Sequence, residues 1–268
     1  MRRLLMLGVL GGMGPAATVD FMEKVIDGTG ADTDQENIPM IVCSASNIPD
    51  RTAYILGNGP DPLPDMIVAV RRLERAGASR IAIPCNTAHY WHAALQAATS
   101  LPILHIVEVV CDVLEREPDA KSRGPIGILA THGTLAAGIY SRHLAERGFS
   151  SLQPQGEDQH EVMRAIGLVK AGCAAEAVEP LMRQAQKLWD RGCSVVVMAC
   201  TEIPVALAHR PEVAQGRLLD ATNELAKACV AIYKSNPTED DPDVDSGAPP
   251  APVQTLHGIA AYGGTLQA

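Results

Sequence analysis

The chain has 268 residues, 47% hydrophobic and 20% charged, enough for one large domain or two lobes of about 100 residues each. Its formal charge of −9 comes from interspersed Asp and Glu rather than basic blocks, which excludes an electrostatic footprint for nucleic acid or an anionic membrane surface. Seven scattered cysteines, an odd number without tight CxxC pairs, fit reduced thiols in a cytoplasmic protein better than a zinc site or a secreted disulfide scaffold.

Leu4 to Val9 reads as a first buried strand rather than a signal peptide, because its apolar run stops at the glycine turn Gly11-Gly12-Met13-Gly14. Further strand-length apolar runs fall at Pro39 to Cys43, Ser79 to Ile83, Ile126 to Leu129 and Ser194 to Met198. Amphipathic helical stretches separate them, among them Ala16 to Asp27, Pro62 to Ala76, His89 to Thr99 and Ala175 to Arg191. No stretch approaches the roughly 18 to 20 apolar residues that span a bilayer. The alternation predicts an α/β fold with mainly parallel sheets buried on both faces by flanking helices.

Two motif pairs point to an internal duplication. Gly8-Val9-Leu10-Gly11 and Gly127-Ile128-Leu129-Ala130 are offset by 127 − 8 = 119 residues. Ile81-Ala82-Ile83-Pro84-Cys85-Asn86 and Val196-Val197-Met198-Ala199-Cys200-Thr201 are offset by 200 − 85 = 115. The expected architecture is therefore two pseudo-symmetric lobes with the site in the cleft between them. Residues 1–118 with a returning segment 208–235 make the N-terminal lobe, 119–207 the second lobe, and 236–268 a Pro- and Asp-containing tail.

In open parallel sheets, functional groups gather at the carboxyl ends of strands, and Cys85 and Cys200 both fall there. A thiol at a helix N-terminus is expected to have its pKa lowered from about 8.5 toward neutrality. Two lobes facing each other would bring the two cysteines to opposite sides of a ligand, the arrangement that inversion at carbon requires. The planar intermediate would need donors where charge develops, and Asn86, Thr87, Thr201 and the amides of the Gly11 to Gly14 turn are candidates.

Competing readings exist. Gly12-Met13-Gly14-Pro15-Ala16-Ala17 satisfies a dinucleotide fingerprint, but the second strand ends Cys43-Ser44 without an acidic residue for a ribose. His89 and His92 could supply two metal ligands, with no third suggested, so no metal is expected. A noncatalytic ligand-binding module would also use a two-lobed cleft, yet would not need matched thiols.

The sequence resembles the aspartate/glutamate racemase family, and within it the pyridoxal-phosphate-independent aspartate racemases. The resemblance covers roughly residues 4–233. It rests on Gly11-Gly12-Met13-Gly14-Pro15, Ile48-Pro49-Asp50-Arg51-Thr52, Pro84-Cys85-Asn86-Thr87-Ala88-His89, Ala130-Thr131-His132-Gly133-Thr134 with Gly138-Ile139-Tyr140, and Ala199-Cys200-Thr201-Glu202. It implies a cofactor-independent racemase, commonly a homodimer, acting on a small dicarboxylic amino acid, with aspartate expected and glutamate or a broader range as alternatives. Cys85 and Cys200 match the family's catalytic cysteines. Arg51 and Lys170 match its side-chain cations; Asn86, Thr87, Thr131 and Thr201 match its carboxylate and amino-group contacts. Met13 matches a turn beside the ligand. Ala199, where a glycine often stands, and the tail after Asn236 depart from the pattern.

Overall fold

The computed structural model describes residues 2–117, 124–235 and 238–240. The first half holds strands β1 (Arg2–Leu4), β2 (Leu7–Gly11), β3 (Met40–Ser44) and β4 (Arg80–Ala82). Helices α1 (Pro15–Thr29), α2 (Arg51–Ile55), α3 (Leu63–Arg75), α4 (His92–Ala97) and α5 (Ile106–Arg116) accompany them. The second half runs β5 (Ile126–Leu129), α6 (His132–Ala136), α7 (Ile139–Glu146), β6 (Ser151–Leu152), α8 (Glu157–Lys170), α9 (Ala174–Asp190) and β7 (Val196–Met198). It continues through α10 (Glu202–Leu207), α11 (Pro211–Ala214), β8 (Leu218–Asp220) and α12 (Ala221–Ser235), with β9 (Thr238–Asp240) beyond.

Two parallel sheets result, ordered β3-β2-β4 and β6-β5-β7-β8. The duplication read from the sequence reappears as strand register: Gly8 lies opposite Ile81 in the first sheet, and their counterparts Gly127 and Val196 lie opposite each other in the second. Every residue of β2, β5 and β7 is buried, because each sheet packs on both faces. Leu7 and Val9 of β2 enter a central core with Phe21, Ile128, Val197 and Leu225, while Leu10 turns the other way onto Met66, Val70 and Leu73 of α3. Val196 and Met198 turn outward onto Ile166, Leu181 and Leu188. Each such fully buried side chain contributes about 1.5–3 kcal/mol.

The returning segment 208–235, expected with the first lobe, is divided between the two. Its strand β8 extends the second sheet beside β7, with Leu218 opposite Val196, whereas α12 packs against α1 and α5. A three-residue strand is too short to show a period in sequence. The single expected strand Leu4 to Val9 is split as well: Arg2–Leu4 pairs antiparallel with Thr238–Asp240, and only Leu7–Gly11 enters the sheet. The rest of the expected tail lies outside the described residues. The expected helix His89 to Thr99 begins as a 3₁₀ turn, Thr87–Trp91, before α4.

The halves touch where α6 meets α2. A Cβ on Gly133 would lie 2.8 Å from the Thr52 Cα, so only glycine permits this approach.

Candidate active site

A small cavity of about 20 Å³ is lined from both halves by Met13, Arg51, Cys85, Asn86, Thr87, Thr131, Lys170, Cys200 and Thr201, with Asp50, Thr52 and Glu202. Every residue that the family resemblance matched to a catalytic or substrate-contact position thus borders one space. Both cysteines follow the carboxyl ends of repeat-related strands: Cys85 comes after β4 and before the 3₁₀ turn, and Cys200 lies between β7 and α10.

Cys200 departs from the expected lowering by a helix N-terminus. Burial, and then the negative charge of Glu202, push its thiol well above the ordinary range. The S–H donates to Glu202 Oε2 at 3.0 Å, and Thr201 Oγ1 reaches the same oxygen at 3.5 Å. The six-residue helix α10 does not outweigh desolvation and a buried carboxylate. Glu202 Oε1 has no hydrogen-bond partner among the described residues, and a Cβ on Gly14 would stand 3.0 Å from it. Lys170, exposed at the last position of α8, acts on Cys200 in the opposite sense and more weakly than burial and Glu202.

Arg51 is fixed by carbonyls. Its Nη1 donates to Ile48 O at 3.2 Å and Pro49 O at 3.0 Å, and Nη2 donates to Met13 O at 3.3 Å. None of these acceptors is a carboxylate, and Nε is buried without a hydrogen-bond partner among the described residues. Asp50 caps α2 by accepting the Ala53 N–H at 2.7 Å, which sets Arg51 at the first helical position. The glycine turn contributes less than expected: the Gly12 N–H, at φ 87°, donates to Thr18 Oγ1 at 2.8 Å and is consumed within the turn. What the turn offers Arg51 is the Met13 carbonyl.

Hydroxyl groups join the two halves. Thr87 Oγ1 lies 3.0 Å from Thr131 Oγ1 and 2.8 Å from Thr134 Oγ1, while Thr131 caps α6 by accepting the Thr134 N–H at 3.1 Å. Tyr140 O–H donates to Asn86 Oδ1 at 2.6 Å. Burial raises the Tyr140 phenol well above its ordinary range, so it stays a donor to Oδ1; the buried Asn86 Nδ2 has no hydrogen-bond partner among the described residues.

His89 is occupied structurally. Its Nδ1–H donates to Cys85 O at 2.9 Å and its Nε2 accepts the Ile106 N–H at 3.2 Å, while burial lowers its pKa to about 4 and keeps it neutral. Both ring nitrogens are committed to backbone, which removes it as a metal ligand. All seven cysteines are free thiols.

Sequence reasoning assigned no role to Glu202 or Tyr140, although both stood inside motifs it quoted. Glu202 was legible as an acid two residues after a cysteine at a helix start; Tyr140 lies 54 residues from Asn86 and carried no local signal.

Paired thiols on equivalent strand ends, sharing one cavity between two parallel-sheet halves, define an α/β protein with a pseudo-symmetric site. Residues 10–229 match the Asp/Glu/hydantoin racemase family, and the chain belongs to that family of isomerases. The broad specificity amino-acid racemase RacX of Bacillus subtilis is 28% identical over 236 residues, covering 85% of this chain and 98% of its own. The structure of an aspartate racemase from Picrophilus torridus is similar with a TM-score of 0.75 at 27% identity, over 88% of this chain and 95% of that one. Glutamate racemase from Francisella tularensis, in complex with D-glutamate, shares the fold with a TM-score of 0.60 at 15% identity, over 87% and 82% of the two chains. Among the described residues, no helix is long and apolar enough to cross a membrane.

Proposed function

We propose that the protein interconverts L- and D-aspartate without an added cofactor, with Cys85 and Cys200 as paired base and acid on opposite faces of the α-carbon. The observation that carries this reading is the meeting of both repeat-related cysteines with Arg51 and Lys170 at one cavity. Two cations match two carboxylates, and an Arg fork suits a carboxylate better than a neutral group. The unpartnered groups agree: Arg51 Nε and Asn86 Nδ2 are donors suited to carboxylates, and Glu202 Oε1 is an acceptor suited to an ammonium.

In one direction the Cys85 thiolate takes the α-proton, and the electron pair moves into the α-carboxylate. The Cys200 thiol then gives its proton to the opposite face. Cys85 ends as thiol and Cys200 as thiolate, the pair that the reverse direction needs. Burial favours the thiol form of Cys200, which suits it to act as the acid in that first direction. Asn86 Nδ2 and the Thr87 and Thr131 hydroxyls are the groups that would stabilise the developing charge. Exposure of Lys170 against burial of Arg51 favours a second reading, in which one end of the site tolerates other side chains.

In heavy water, L-aspartate is expected to acquire α-deuterium and yield D-aspartate with no cofactor supplied. Failure of both across a panel of dicarboxylic amino acids overturns the proposal; comparable turnover of apolar amino acids selects the broader reading.

A further inference from the structure

The fold assembles a histidine cluster that sequence spacing did not reveal. His105 caps α5, Glu108 lies one turn further on, and His143 faces them from α7. Their ligand atoms, two ring nitrogens and one carboxylate oxygen, all lie within 4.8 Å of one another. We propose that His105, Glu108 and His143 hold a divalent transition-metal ion of the zinc class, clamping the first-lobe helix α5 to the second-lobe helix α7.

Two imidazoles and a carboxylate form a donor set for borderline metals such as zinc, whereas calcium and magnesium take oxygen ligands. Bonds of about 2.0–2.2 Å put tetrahedral donors roughly 3.3–3.5 Å apart, so closure from the present spacing takes a movement of about an ångström. Glu108 is exposed and can rotate inward. His143 is already oriented: its Nδ1–H donates to Ile139 O at 2.8 Å, which leaves the Nε2 lone pair available. A backbone carbonyl holding the far nitrogen is the usual outer support of a metal-bound histidine. His105 Nδ1 accepts the Glu108 N–H at a long 3.4 Å, a bond that a metal bond would replace. His89 and His92 enclose the other side, their ring centroids 4.9 and 4.5 Å from His105. Both nitrogens of His89 are bonded to backbone, and His92 Nε2 donates to Ile103 O at 3.0 Å, so these rings serve as walls.

None of the three ligands lines the cysteine cavity, so this site does not depend on the racemase reading. The test is titration of the chelator-stripped full chain with zinc sulfate and then cobalt(II). One ion per chain is expected, with a cobalt spectrum lacking thiolate charge transfer. Glu108→Gln, at an exposed position, and His143→Gln should each weaken affinity about tenfold or more. Absence of stoichiometric binding, unchanged affinity in Glu108→Gln, or a thiolate-to-cobalt band placing the metal on cysteine overturns the proposal.

Discussion

After Cys85 the chain continues Asn86-Thr87; at the equivalent place in the second lobe, Cys200 is followed by Thr201-Glu202. The backbones repeat, with the same strand register and the same cavity at the strand ends, but the side chains do not. Thr87 enters a hydroxyl cluster with Thr131 and Thr134, whereas Glu202 binds the thiol of its own lobe. A duplicated scaffold thus offers two thiols from related frames while surrounding them unequally. Under the aspartate proposal that difference suits a chiral ligand, whose carboxylates and ammonium would be met by different groups while its two faces undergo the same proton transfer.

The largest expected effect comes from removing either thiol. Cys85→Ser and Cys200→Ser should each lower racemisation on the order of 10³-fold, the scale of a lost acid or base. Each variant should retain solvent deuterium exchange from one enantiomer, and the two should differ in which one. Equal exchange of both enantiomers by either variant would remove the division of labour between lobes.

The two cations come next. Arg51→Ala removes a buried charge and should cost about 3 kcal/mol, roughly 100-fold in kcat/KM for aspartate. Lys170→Ala, at an exposed position, should cost less than about fivefold. Kinetics with both variants would show whether specificity rests on the first lobe; a larger loss from Lys170→Ala reverses that assignment.

The smallest effect sharpens the contrast between Thr87 and Glu202. Glu202→Gln removes the negative charge that, second to burial, raises the Cys200 thiol. Because that charge disfavours thiolate, its loss should move the alkylation midpoint of Cys200 to lower pH while leaving it elevated by burial. Following alkylation of the Cys200-bearing peptide against pH, with Cys85→Ser as background, reads this thiol apart from the other free cysteines. In turnover, kcat and KM should shift unequally in the two directions. The ratio kcat/KM must fall equally in both, because enantiomers have equal free energy in water.

The amino-acid order by itself determined the α/β class, the duplication and the cysteine pair. These follow from local periodicity and from repeated motifs: Ile126–Leu129 appears as read, and the paired glycine and isoleucine/valine positions became strand neighbours. The motif resemblance supplied Arg51, Lys170 and Thr131, which no local pattern singles out. Tertiary structure alone decided that β8 joins the second sheet and that Tyr140 orients Asn86. It also decided that the Gly12 amide is spent on Thr18, and that His105 meets His143. These depend on contacts between distant segments and on which buried group wins a shared partner. The same reason separates the reading of Cys200 from its environment: sequence shows a thiol beside a short helix, while only packing reveals that desolvation and a buried carboxylate outweigh the helix and keep it protonated.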